Sequence, residues 1–115
     1  ELDSQIANFQ RFKNVISYID SNFTEKIDLD RLADITKMSQ GHFCRLFKQI
    51  TGMSAINYIN NLRINKAVEL IKISDQNMME IAMSCGFSDS NYFSRAFKKH
   101  EKMSPLQMRK LSKRF

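Results

Sequence analysis

The sequence predicts an all-α fold of seven helices: two helix-turn-helix subdomains of the homeodomain-like kind, joined by a long central helix. Three observations carry that reading. Apolar residues recur at helical spacing along most of the 115 residues. With no Trp, one Pro and three Gly, the composition favours helices over a many-stranded β fold. Finally, one segment is written twice. His42 to Ser54 read HFCRLFKQITGMS and Tyr92 to Ser104 read YFSRAFKKHEKMS, so Phe43, Arg45, Phe47, Lys48, Met53 and Ser54 return fifty positions later as Phe93, Arg95, Phe97, Lys98, Met103 and Ser104. Upstream the match continues at an offset of forty-nine, Leu32-Ala33 with Ile81-Ala82 and Ser39 with Ser88. Stacked repeat arrays usually need three or more units, so two copies point to one module used at two places.

Ile6, Phe9, Phe12, Ile16, Ile19 and Phe23 predict an amphipathic first helix over about residues 5–23. Asp28 is placed to cap a short second helix carrying Leu29, Leu32, Ala33 and Ile35, and Thr36-Lys37-Met38 reads as a tight turn. Ser39 then caps a third helix whose buried stripe is Phe43, Leu46, Phe47 and Ile50, and Gly52 provides a left-handed stop. Ser54 opens a long helix through about Ile73, with apolar residues on more than one side. Asp75-Gln76-Asn77 break it, and Met78 to Cys85 form the fifth helix. Gly86-Phe87 make a turn, and Ser88 caps the sixth helix, buried through Phe93, Ala96 and Phe97. Ser104-Pro105 is a helix start with Ser as cap and Pro at the first helical position. The last helix runs into a basic tail from Arg109 to Arg114. The subdomains are thus expected at 5–53 and 74–115, with 54–73 connecting them.

Charge is informative by location. Through Asp34 there are four basic and seven acidic residues, and from Ile35 onward fourteen basic and five acidic, so the net +6 is concentrated where the repeat lies. A basic surface that coincides with duplicated helices suits a polyanion. No apolar run approaches the ~20 residues of a membrane span and no signal peptide is visible, so no membrane role is expected. Cys44 and Cys85 have neither metal spacing nor a disulfide framework, which suits a reducing cytoplasm. His42 and His100 lack partners at ligand spacing, no nucleophile–base pair or phosphate-cradling glycine loop is present, and the Met residues read as core filler. The chain is expected to be no enzyme, with neither cofactor nor metal. Because it does not begin with Met, it is expected to be a fragment of a longer protein.

Each copy reads as a short helix, a turn of three or four residues, and a second helix (about 39–50 and 88–100) with basic and polar residues opposite its apolar stripe. In a helix-turn-helix the second helix enters the DNA major groove N-terminus first. Gly41, Cys44, Arg45 and Lys48 point away from Phe43 and Phe47, and Asn91, Ser94, Arg95 and Lys98 do the same in the second copy. An Arg fork can donate two hydrogen bonds to guanine O6 and N7; Asn91 suits adenine, while Tyr92 or Ser94 suits a thymine methyl or a phosphate. His42, near its helix start, is a candidate phosphate contact, and Lys48 and Lys99 are expected to hold backbone. A connecting helix of about twenty residues spans ~30 Å, close to the ~34 Å between successive major grooves on one DNA face. One chain could therefore read two adjacent grooves. Since the copies differ at most exposed positions, the site should be asymmetric. A helical protein-interaction module with a basic face is the alternative.

The sequence also resembles the DNA-binding domain of AraC/XylS-type transcription regulators, from about residue 8 to residue 110. The most specific part is Arg63-Ile64-x-x-Ala67, Ile81-Ala82-x-x-x-Gly86-Phe87-Ser88, Tyr92-Phe93-x-Arg95-x-Phe97-Lys98 and Met103-Ser104-Pro105. The resemblance implies two helix-turn-helix subdomains in adjacent major grooves, with base contacts from Gly41, Cys44 and Arg45 and from Ser90, Asn91, Tyr92, Ser94 and Arg95. Phosphate contacts are expected from Ser39, Gln40, His42, Lys48, Ser54, Ser88, Lys98 and Lys99, with the helix N-termini at Ser39, Ser54 and Ser88 offering backbone amides. RNA polymerase is the expected protein partner, and a separate effector or dimerisation domain is expected N-terminal to the chain. Two positions depart from the pattern. Gly41 stands where relatives often carry a larger residue, and Lys37 stands where the second copy has Gly86, so the first turn is expected to differ slightly in shape.

Overall fold

The computed structural model describes residues 2–113. The described residues form seven α-helices: α1 (Leu2–Asn22), α2 (Leu29–Thr36), α3 (Gln40–Thr51), α4 (Ala55–Ile73), α5 (Met78–Ser84), α6 (Ser90–Glu101) and α7 (Pro105–Ser112). The chain divides into two units that part between Ile59 and Asn60, inside α4. Arg114, the last residue of the basic tail, and Phe115 after it lie outside the described range.

In the first unit, α1 contributes Phe12, Val15 and Ile19, α2 contributes Leu32 and Ala33, and α3 contributes Phe43 and Phe47, all buried. The rings of Phe12 and Phe43 stack at 5.7 Å, and Phe47 lies 5.6 Å from Phe43 and 5.7 Å from Tyr58. Offset and edge-on aromatic pairs of this kind add attraction beyond their buried area. The Tyr58 hydroxyl donates to Asp20 Oδ1 at 3.1 Å, tying the start of α4 to the end of α1. Thr36, fully buried, donates its hydroxyl to the Ala33 carbonyl at 2.7 Å, so its polar atom is satisfied locally. The expected apolar stripes are longer than the buried ones. Ile6 and Phe9 stay 52% and 61% exposed because the core of this unit meets α1 only from Phe12 onward, and Ile50 is half-exposed at the last turn of α3.

The second unit repeats the plan. Ile64, Ala67 and Ile71 of α4, Ile81, Ala82 and Cys85 around α5, Phe87, and Phe93 and Phe97 of α6 form its core. These buried triads reveal an equivalence the sequence comparison misses. Phe12, Val15 and Ile19 map onto Ile64, Ala67 and Ile71 at an offset of fifty-two, and the same offset pairs Asn8 with Asn60 and Arg11 with Arg63. At the other end of α4, Ser54 caps the helix by accepting from Asn57 N–H at 3.1 Å, as Ser104 caps α7 by accepting from Gln107 N–H at 3.1 Å. Ala55 and Pro105, the first helical residues after these caps, are both buried. The long helix is therefore two repeat elements fused end to end. Its first turns are the counterpart of α7, and its remainder is the counterpart of α1. That is why its apolar residues occupy more than one side.

The turns of the two copies share one hydrogen-bond pattern despite their different residues. Lys37 N–H donates to the Asp34 carbonyl and Met38 N–H to the Ala33 carbonyl; Gly86 N–H donates to Met83 and Phe87 N–H to Ala82. Lys37 adopts φ 60° and Gly86 φ 104°. The expected difference in shape is thus confined to dihedral detail, and Lys37 accepts the left-handed conformation that glycine takes freely. At the ends of α3 and α6 the residues are exchanged: Gly52 has φ 85° and Lys102 φ 67°.

Three expectations are corrected. The cap of α6 is Asp89 and not Ser88: its carboxylate accepts from Asn91 N–H at 2.8 Å and Tyr92 N–H at 3.2 Å. The second copy carries one residue more between its turn and its helix, which moves the offset from forty-nine to fifty and hands the cap to the added residue. Met79 and Met83 are exposed on the outer side of α5 and are not core filler. Arg109 is not a free cation of a tail: its guanidinium donates to the Gln76 carbonyl and, at 3.1 Å, to the Ser74 carbonyl, fastening α7 to the chain that leaves α4.

Candidate nucleic-acid interface

Helix α3 begins at a Ser39 cap whose hydroxyl accepts from His42 N–H at 3.2 Å, and Phe43 and Phe47 fix its inner side. The positions Gly41, Cys44, Arg45 and Lys48 then fall at i, i+3, i+4 and i+7, on one stripe away from the core. Gly41, Arg45 and Lys48 are exposed and Cys44 is half-buried. A Cβ at Gly41 would lie 3.5 Å from Arg45 Nη1, so the guanidinium lies over the bare backbone that glycine leaves. Ser39, Gln40 and His42 are exposed at the start of the same helix, whereas Ser54 is half-buried as the cap of α4.

Helix α6 repeats the stripe with Asn91, Ser94, Arg95 and Lys98, all exposed, while Phe93 and Phe97 hold the inner side. Ser88, Ser90 and Lys99 are also exposed. Tyr92 differs from the others. Its ring lies edge-on to Phe87 at 5.9 Å, and its hydroxyl accepts from Asn60 Nδ2 at 2.7 Å. Arg63, one turn along α4 from Asn60, stands over the other partner, with its guanidinium carbon 5.7 Å from the Phe87 centroid. Partial burial pushes the Arg63 pKa below its ordinary value, while nearby Tyr92 and Cys85 act in the opposite sense. Sequence reasoning placed Tyr92 in the site and missed Asn60. The signal was available in the Asn8/Arg11 and Asn60/Arg63 correspondence at offset fifty-two.

Electrostatically the two helix starts are unlike. Ser39 caps α3 with a neutral hydroxyl, whereas Asp89 puts a carboxylate on the first amides of α6. A carboxylate there favours the helix dipole and disfavours a second anion at the same amides. The exposed cations Arg95, Lys98 and Lys99 lie further along the helix. His100 pairs with its chain neighbour Glu101, Nδ1 to Oε2 at 2.6 Å.

The helix-turn-helix domain family matches residues 32–111, from the middle of α2 to the end of α7. The chain belongs to the AraC-type helix-turn-helix family. This AraC-type domain is 33% identical over 102 residues to the HTH-type transcriptional activator RhaS of Enterobacter sp. (strain 638), covering 89% of the chain and 37% of that protein. It thus spans well under half of that curated relative. Among solved structures, the DNA-binding domain of AdpA, a global transcriptional factor, in complex with a target DNA matches with TM-score 0.80 and 26% identity, over 86% of this chain and 89% of that one. An AraC-type transcriptional regulator from Chromobacterium violaceum matches with TM-score 0.75 and 27% identity, over 97% of this chain and 96% of that one. No helix of this AraC-type domain, among the described residues, is long and apolar enough to cross a membrane.

Proposed function

We propose that the chain is the sequence-specific, double-stranded DNA-binding part of a transcription regulator, and that α3 and α6 are its two reading helices. The observation that carries this is the repeated exposed stripe: Arg45 and Lys48 on α3, Arg95 and Lys98 on α6, each opposite a buried Phe pair. Gly41, Cys44 and Arg45, and Ser90, Asn91, Ser94 and Arg95, are the residues assigned to base edges, and Tyr92, which its bond to Asn60 sets apart, is assigned to the backbone. Ser39, Gln40, His42, Lys48, Ser54, Lys98 and Lys99 are assigned to phosphates. Ser88 joins them through its hydroxyl, since Asp89 occupies the amides of α6. The likeness to the DNA-bound AdpA domain and to the RhaS activator supports the reading.

Two unlike reading helices on one chain favour one bipartite, asymmetric site, with half-sites in adjacent major grooves about one helical turn apart. A regulator of this kind works in the cytoplasm beside RNA polymerase, and the 37% coverage of RhaS leaves room for an effector or dimerisation domain in the whole protein. Selection of bound sequences from a random duplex library tests the reading, with affinity then followed against salt. A bipartite consensus is expected, with affinity falling by roughly 10³–10⁵ between 50 and 200 mM salt if 6–10 phosphates are contacted. Enrichment of no sequence, with weak binding of every duplex, would instead favour a basic face made for an acidic protein.

A further inference from the structure

We infer that Asn60 is a positioning residue for DNA binding, holding the Tyr92 hydroxyl so that it donates to a backbone phosphate rather than reading a base.

The inference rests on three contacts within the second unit. Asn60 Nδ2 donates to Tyr92 Oη at 2.7 Å, so the Tyr92 oxygen is an acceptor in that bond and its own proton points elsewhere. The ring cannot swing away freely, because it stands edge-on to Phe87 at 5.9 Å, and Phe87 is itself buried under the guanidinium of Arg63. Asn60 and Arg63 are one turn apart on α4, so a single helix face fixes both the ring and its oxygen.

What remains of Tyr92, a residue 39% exposed, is one O–H donor turned away from Asn60 at the first turn of α6. A phenol that already accepts a hydrogen bond is a better donor, since linked hydrogen bonds polarise one another. The acceptor that suits such a lone donor beside a reading helix is an anionic oxygen, and phosphates take the majority of protein–DNA hydrogen bonds. Base edges are served instead by Asn91, Ser94 and Arg95, which are exposed on the outer stripe of α6. The Asn60 bond therefore fixes how α6 meets the backbone, and through that the register of its neighbours.

The inference rests on the DNA-binding reading, and the two can fail separately. Affinity is measured by titration of the intact chain against its selected duplex and a scrambled one, with thermal melting of every variant alongside. Tyr92→Phe should weaken both duplexes by the same factor, about tenfold, and leave base preference unchanged. Asn60→Ala should weaken binding when Tyr92 is present and add nothing in the Tyr92→Phe background. Asn60→Asp separates positioning from mere packing: the carboxylate would accept the phenol proton and remove the donor. Its loss of binding should therefore be larger with Tyr92 than with Phe at that position, although the link between helices is kept. A base-specific change from Tyr92→Phe, or equal effects of the Asn60 variants in both backgrounds, would overturn the inference while the DNA-binding reading stood. If the wild-type chain selected no duplex, the reading itself would fall.

Discussion

Lys37 and Lys102 take the left-handed conformation at corners where the other copy has glycine, and a side chain there carries a steric penalty. Lys37→Gly and Lys102→Gly should each stabilise the fold by about 0.5–1 kcal/mol, read as a higher melting midpoint. The paired arginines give the residue-scale test of recognition. Arg45→Ala and Arg95→Ala should each weaken specific binding by ~1–3 kcal/mol and relax preference at different base pairs, whereas Lys48→Ala and Lys99→Ala should weaken all duplexes alike. Variant selection experiments check this; blurring of the same base pairs by both arginine variants would contradict separate reading helices. At this scale the sequence was most legible where chemistry and repetition coincide. The Phe and Arg positions are identical in both copies, so register and face followed from spacing alone. The capping residue of α6 was not legible, because Ser88, Asp89 and Ser90 can all cap and only the backbone shows which one does.

Helices α2, α3, α5 and α6 were readable from periodicity, and α2, α3 and the Ser54 and Ser104 starts from their caps as well. Which apolar residues lie inside was less so, since Ile50, Met79 and Met83 satisfy helical spacing yet find no neighbour to cover them. Arg109 was hidden for the opposite reason: a basic residue in a basic stretch gives no sign that it will fasten two carbonyls. Arg109→Ala should lower stability by about 2 kcal/mol, measured by denaturant unfolding, because carbonyls of Ser74 and Gln76 lose charged donors. The salt slope of DNA binding should stay unchanged, since this cation is committed inside the unit. Around α5 the buried Cys85 thiol is pushed up to about 11 by desolvation. A pKa raised in the folded state means the neutral thiol is favoured there, so its stabilising contribution is complete below about pH 8.5 and is lost as pH rises toward 11. In the native protein near neutral pH, a thiol reagent should therefore label half-buried Cys44 well before Cys85.

Across the whole chain, the unit boundary inside α4 follows from two repeats sharing one helix, a feature that pairwise comparison of the HFCR and YFSR segments could not expose. The offset is fifty-two along α1, forty-nine through α2 and fifty from α3 onward, and along α1 only Asn8, Arg11 and Ile19 recur unchanged. Structure recovers the correspondence because burial repeats where identity does not. If both units read DNA, hydroxyl-radical footprinting should show two protected stretches about one helical turn apart, and Arg95→Ala should weaken one of them first.

The Asn60–Tyr92 bond marks the edge of what can be reprogrammed in this chain. Positions 91, 94 and 95 stand in the same frame as 41, 44 and 45, on helices anchored by the same Phe pairs. A designer could transplant one reading stripe onto the other helix and duplicate a half-site, turning an asymmetric target into a direct repeat. Tyr92 would have to stay behind, because its partner belongs to α4 and not to the transplanted stripe.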